Sequence, residues 1–242
     1  MFKPCGRFGL ICLFFAFALP FSFLSLAQDY SENLGASPQQ MMQGVDAHTV
    51  QQLNADHAAL QRNPNDVTAL VDRGALALNI ADKSRYSLAW IHFAAKNLEK
   101  ALSLDPSNFY AQHNYAMACY ETGDFNDAQP VMHLAVTHFN RAIQLEPDSA
   151  RTYMGRGWAY LMMDDQAHAN ADFQKALQLD PSLRDQLVRQ ANGIRQKRAQ
   201  KGCIQAAMQR GGVKGVMAAN CPPPPDAADY KYNPRAGGYV VK

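Results

Sequence analysis

The sequence predicts an all-α fold: a helical-repeat array of about three helix pairs with a capping helix at either end. Three observations carry that expectation. First, three segments end alike, Ala101-Leu-Ser-Leu-Asp-Pro106, Ala142-Ile-Gln-Leu-Glu-Pro147 and Ala176-Leu-Gln-Leu-Asp-Pro181. Proline disfavours helical geometry in the residue before it, so a helix stops near Asp105, Glu146 and Asp180. Second, a small residue stands ten positions after a proline in each unit: Gly74 after Pro64, Ala116 after Pro106, Gly157 after Pro147. Third, Leu98, Phe139 and Phe173 lie three residues before Ala101, Ala142 and Ala176, with Ala94, Ala135 and Ala169 four residues further back. Small, large and small side chains at helical spacing are what two closely packed helices require.

The repeats follow in order as about 65–106, 107–147 and 148–181. The first two are longer than the third by eight and seven residues, which places the extra residues in a lengthened second helix of each unit. One unit cannot bury its own apolar face, so the units stack and the ends need caps. Asp46 to Arg62 reads as the leading cap, with Val50, Leu53, His57 and Leu60 on one side. Residues 182–200 read as the trailing cap, with Leu183, Leu187, Val188, Ala191 and Ile194 at helical spacing.

The series Tyr153, Gly157, Tyr160, Ala169, Phe173, Ala176 and Pro181 resembles the tetratricopeptide repeat, a 34-residue helix–turn–helix unit. Arg156 stands where that family usually has leucine. The resemblance covers roughly 48–200 and implies a right-handed superhelix whose first helices line a concave binding surface. Carried over by spacing, that surface is Val71, Ala75 and Leu78 in unit one, and Tyr110, His113, Asn114, Met117 and Tyr120 in unit two. In unit three it is Arg151, Met154, Trp158 and Leu161. The strip is apolar and aromatic with few charges, and suits a protein or peptide partner. An aromatic stripe at helical spacing is equally the signature of a packed core. The basic clamp that some members use for C-terminal carboxylates is not reproduced. Its five positions hold Val71, Ala75, Asn114, Arg151 and Gly155, and only Asn114 and Arg151 match.

The flanks carry different signals. Lys3 and Arg7 precede an apolar run from Leu10 to Leu24, and Ser25-Leu26-Ala27 offers small residues at the positions a signal peptidase reads. This is the layout of a secretory signal peptide over 1–27. A retained anchor fits less well, because Pro20 interrupts a run that is short for spanning a bilayer. Export to the periplasm or beyond, as a soluble chain, is therefore expected, with 28–45 as a polar, unstructured lead-in. An oxidising compartment favours pairing of Cys203 with Cys221 in the Pro/Gly-rich tail, 201–242. Cys119 reads as a buried apolar residue.

Charge is divided unevenly. Residues 46–181 hold 10 Lys and Arg against 16 Asp and Glu, and residues 182–242 hold 11 against 3. The basic cluster Arg184, Arg189, Arg195, Lys197, Arg198, Lys201 and Arg210 is a solvated cap face, a complement to the acidic array of the same chain, or a contact for an anionic lipid, envelope polymer or acidic protein. Export and the lack of a recognition module argue against nucleic acid. No phosphate loop, nucleophile elbow, His-Glu-x-x-His or paired-cysteine spacing occurs, so neither catalysis, metal nor cofactor is expected. The leading expectation is a non-catalytic scaffold or adaptor in the envelope or in secretion. The alternatives are a surface-anchoring module and an accessory subunit of an enzyme.

Overall fold

The structure is a computed structural model that describes residues 42–83, 87–126, 129–218, 230–233 and 238–241. The predicted signal peptide, most of the lead-in and Cys221 lie outside the described residues. Two compact units divide the chain after Leu145.

The first unit holds α1 (Ala47–Arg62), α2 (Val67–Ala81), α3 (Ser87–Leu104), α4 (Phe109–Asn126) and α5 (Gln129–Leu145). Helix α1 packs on α2, and the pairs α2/α3 and α4/α5 are joined by packing of α3 on α4. The second unit holds α6 (Ala150–Met162), α7 (Gln166–Leu179), a 3-10 turn (Pro181–Leu183) and α8 (Arg184–Ala218). It also holds a two-stranded antiparallel ladder, β1 (Tyr230–Asn233) and β2 (Gly238–Val241). Helix α6 packs on α7, and the 3-10 turn contacts both α7 and α8. The three expected helix pairs are therefore present.

The proline-marked junctions explain why the helices stop. The N–H groups of Asn63, Asp105 and Asp180 each donate to the carbonyl of an alanine four residues back, Ala59, Ala101 or Ala176, at 2.8 Å. The same three side chains then turn the chain. Asn63 accepts from the Asn65 N–H at 3.1 Å, Asp105 from Ser107 at 3.0 Å and Asp180 from Ser182 at 2.9 Å. Short Asx side chains make this local turn readily. The Ser107 and Ser182 donors hold the Asp105 and Asp180 carboxyls below the usual carboxylate range. The next helix is then capped: Asp66 accepts from the Ala69 N–H at 3.1 Å and Asn108 from the Ala111 N–H at 2.9 Å.

Within each pair the expected small-on-large contact is present. Leu98, Ala116 and Phe139 are fully buried. Gly74 and Gly157 sit so close to the partner helix that a Cβ on either would lie 2.6 Å from Leu98 Cγ or Phe173 Cε1. Glycine here is a requirement of approach, not of backbone freedom.

Three expectations need correction. The extra residues of the first two repeats are not confined to the second helix. Helices α2 and α3 have 15 and 18 residues and α4 and α5 have 18 and 17, against 13 and 14 in α6 and α7. The extension is shared because both helices of a pair must lengthen together to keep their seam covered. The trailing cap does not stop near 200, since α8 runs on through Gly211 and Gly212 to Ala218. Glycine's cost in a helix is only about 1 kcal/mol, too weak to mark an end by itself. Leu183 and Leu187 are buried as expected of a cap, but Val188 is 55% exposed. The Pro/Gly-rich tail, for which no regular element was expected, pairs Tyr230–Asn233 with Gly238–Val241, segments whose Tyr and Val favour strands.

The seam geometry makes a prediction. Gly157→Val should destabilise the chain by about 1–3 kcal/mol through overpacking against Phe173. Gly193→Ala in α8, where a Cβ would meet nothing within 4 Å, should instead stabilise by about 0.5–1 kcal/mol. Urea unfolding followed by circular dichroism reads both.

Candidate functional site

The surface expected to bind a partner is built from α2, α4 and α6, and the structure treats the three helices differently. On α2, Val71 is buried in a cluster with Leu60, Leu70 and Ala101, while Ala75 and Leu78 are half-buried. On α6, Arg151 is exposed, but Met154 and Leu161 are buried and Trp158 is only 4% exposed. The Trp158 ring packs on Phe173 with centroids 4.5 Å apart, which draws it into the α6/α7 seam. Val71, Met154, Trp158 and Leu161 are thus core residues, and their assignment to an open groove is corrected. Large apolar side chains at these positions gain more from covering the seam than from facing water.

Helix α4 is the part that stays open. Tyr110 is 63% exposed, and His113, Asn114, Met117 and Tyr120 are half-buried. Phe109 meets the Tyr110 ring edge-on at 5.2 Å and stacks on His113 at 6.0 Å. His113 in turn meets the buried Phe139 at 5.9 Å. One end of the face is therefore an aromatic group anchored in the core of its own hairpin. Its five residues carry no carboxylate and no permanent cation, so they suit apolar or aromatic side chains and neutral backbone groups.

A second, repeated feature was not anticipated. The residue before the seam glycine or alanine faces the residue before the seam leucine or phenylalanine in every pair. Arg73 Nε donates to Asn97 Oδ1 at 2.8 Å, and Asn97 Nδ2 donates to the Phe93 carbonyl at 2.7 Å. Tyr115 meets His138 edge-on at 4.7 Å, and His138 Nδ1 lies 2.7 Å from Gln112 Oε1. Arg156 makes a bidentate pair with the buried Asp172, at 2.8 and 2.7 Å. The Asp172 hydrogen bonds push the guanidinium pKa up further, while burial pushes the His138 imidazole down. Buried pairing of this kind fixes which helix faces meet, because a displaced partner would leave a polar group unsatisfied. The available signal was the departure at Arg156, echoed position for position two repeats earlier by Arg73.

The C-terminal assignments fall partly within the described residues. Arg184 and Arg189 are exposed on α8, and positions 195, 197, 198 and 201 follow on the same helix, their side chains outside the described residues. Cys203 is disulfide-bonded, and its expected partner Cys221 lies outside the described residues. Cys119 is free and buried, and burial pushes its thiol up to about 12.

One carboxyl is displaced the other way from the turn aspartates. Burial first, then the charges of Asp72 and Asp66, drive Asp56 up to about 6 against the pull of Arg73. Its Oδ2 has no hydrogen-bond partner among the described residues. The folded chain therefore holds this proton more tightly than the unfolded chain, and the stability involved is complete below the ordinary carboxylate value. It is lost as pH rises through about 6. Asp56→Asn should match wild type near pH 4 and melt several degrees higher at pH 7. Thermal melts across that range check it.

Comparison with known proteins agrees with this architecture. The tetratricopeptide-repeat family model matches residues 150–183, the third helix pair. Tetratricopeptide repeat protein 13 of Homo sapiens is 31% identical over 121 residues, covering 50% of this chain and 13% of that protein. The Hsp70-Hsp90 organizing protein of Triticum aestivum is 32% identical over 89 residues, covering 37% of this chain and 14% of that protein. The chain thus spans about a seventh of the length of these relatives. Among solved structures, MamA is 20% identical with a TM-score of 0.46, over 68% of this chain and 82% of that one. YrrB, a TPR protein with an unusual peptide-binding site, is 14% identical with a TM-score of 0.33, over 65% and 93%. Residues 150–183 of this chain are thus a tetratricopeptide repeat, and the two helix pairs before it are bounded by proline in the same way.

Proposed function

We propose that the chain is a non-catalytic interaction module that holds a protein or peptide segment against the open face of α4, outside the cytoplasm. The observation that carries this reading is the contrast between repeats. Met154, Trp158 and Leu161 of α6 are buried, whereas their counterparts His113, Met117 and Tyr120 on α4 are only half-buried, and Tyr110 beside them is 63% exposed. Tyrosine offers large contact area with few rotatable bonds, and Met adapts its shape, which suits both to a binding surface. The Asn114 carboxamide can donate to and accept from an extended backbone. The organizing protein among the relatives is named for bringing two proteins together, and interaction of the same general kind is assigned here.

The extracytoplasmic setting is supported by the apolar run from Leu10 to Leu24 and the small residues before Gln28. The disulfide at Cys203 fits an oxidising compartment, and we take Cys221 as its partner. Peptide sequencing of the protein recovered from cells should then find Gln28 at the N-terminus. A retained Met1 would sink this part of the reading.

Photo-crosslinking residues placed in turn at Tyr110, Met117 and Trp158 test the face itself. The first two should capture the same partner segment in cells, and the buried Trp158 position should capture only its own chain. With the captured segment made as a peptide, Tyr110→Ala and Met117→Ala should each weaken binding by about tenfold or more in calorimetry. Unchanged affinity in both variants would remove α4 as the site.

A further inference from the structure

We infer that α1 is a strap over α2, held down while the carboxyl of Asp56 keeps its proton and released when that carboxyl ionises. The partner surface it would uncover rests on the reading proposed above, whereas the release stands on α1 itself. Helix α1 is lightly attached. It buries two of its 16 residues, Leu53 and Leu60, whereas α2 buries seven of 15. Apolar area removed from water sets how firmly a helix face is held. Between the two leucines the seam is polar: Asp56 and His57 stand three and four positions after Leu53, on the same helix face. The Asp56 Oδ2 and the Asn54 Oδ1 two residues before it are buried with no hydrogen-bond partner among the described residues. An ionised carboxylate in that seam therefore has one oxygen without water or a donor.

Among the described residues, the charges acting on Asp56 come from α2 and its N-cap. Asp72 and Asp66 oppose ionisation, and Arg73 favours it. Arg73 is shared, since its Nε donates to Asn97 Oδ1 on α3 at 2.8 Å and its guanidinium stands 5.3 Å from the Phe93 ring centroid. Within α1, His57 Nε2 accepts from Gln61 Nε2 at 3.0 Å, and burial first, then Arg73, keeps that ring below the usual imidazole value. His57 is thus neutral in the docked helix at neutral pH. The outcome for Asp56, set first by burial, is a carboxyl pushed up to about 6. The docked helix binds this proton more tightly than the released one, so release is favoured as pH rises through about 6. What α1 covers is part of the repeat surface. Leu60, with Ala59 packed against it, shares a buried cluster with Leu70 and Val71. Val71 is an α2 position expected on the partner surface, and α2 packs on α4, which carries the accessible Tyr110 and Met117. Release of α1 takes Leu60 out of that cluster and extends the open face from α4 onto α2.

Hydrogen exchange of the full chain, read peptide by peptide, follows α1 by itself. From about pH 5 to about pH 8, corrected for the intrinsic exchange rate, opening of residues 47–62 should rise about tenfold or more, allowing for solvent around a half-buried carboxyl. Helices α3 and α4 should stay closed over the same range. Asp56→Asn should remove the rise, and His57→Gln should keep it. At the alkaline end, Val71→Cys should react with a maleimide faster alone than when combined with Asp56→Asn, read on the peptide that carries it. No rise in the wild type, or an equal rise in Asp56→Asn, overturns the release. A rise without faster labelling at position 71 overturns the covering role. Neither readout uses a partner, so both are judged apart from capture at α4. The segment captured there should bind the wild type more tightly than Asp56→Asn at the alkaline end, and equal affinity would separate the strap from partner binding.

Discussion

Everything in the helix pairs depends on one close approach, a glycine or alanine on the first helix against a leucine or phenylalanine on the second. At Gly74 and Gly157 there is no room for even a methyl group. Protein interiors are packed as densely as organic crystals, so a gap or an excess of one methylene is felt by the whole seam. The alanines that flank the seam, Ala94, Ala101, Ala135, Ala142, Ala169 and Ala176, are all fully buried for the same reason. They let the second helix lie flat while Leu98, Phe139 or Phe173 fills the space opposite.

Beside that apolar contact runs a polar one, and here the three pairs diverge. The first uses arginine with asparagine, the second tyrosine with histidine, the third arginine with aspartate. The apolar seam is non-directional and gives most of the burial. The polar pairs are directional and select one register of helix on helix. The third pair also gathers aromatics, with the Arg156 guanidinium 5.6 Å from the Tyr153 ring and 5.9 Å from Tyr160. That pair is the one the family model matches.

The open face and the basic helix follow from what these contacts leave over. Where a large side chain can reach the seam, as Trp158 reaches Phe173, it is drawn inward and lost as a binding surface. On α4, Phe139, Ala111, Ala116 and Ala118 are buried, while Tyr110 stays in solvent with His113 and Met117 half-buried beside it. Helix α8 buries Leu187 among its described side chains, and its sequence carries eight Lys and Arg against one acid.

The repeats and their proline boundaries were legible in the chain itself, because their causes are local. A proline stops the helix before it, and alternation of small and large residues at helical spacing declares the seam. Arg156 was visible as a departure, but its partner Asp172 lies sixteen residues away on another helix, so only packing could join them. The same holds for the binding face. Spacing alone assigned Val71, Tyr110, Met117 and Trp158 to one surface, whereas the tertiary structure buried the first and last and left the middle two accessible. Burial is set by neighbours distant in sequence, which a repeat pattern does not specify. The length of α8 escaped for a related reason: glycine weakens a helix by an amount that its surroundings can offset. What this sequence determined alone was the three helix pairs and the small-on-large spacing of each. Which of their faces remain free was decided only when the seams competed for the same large side chains.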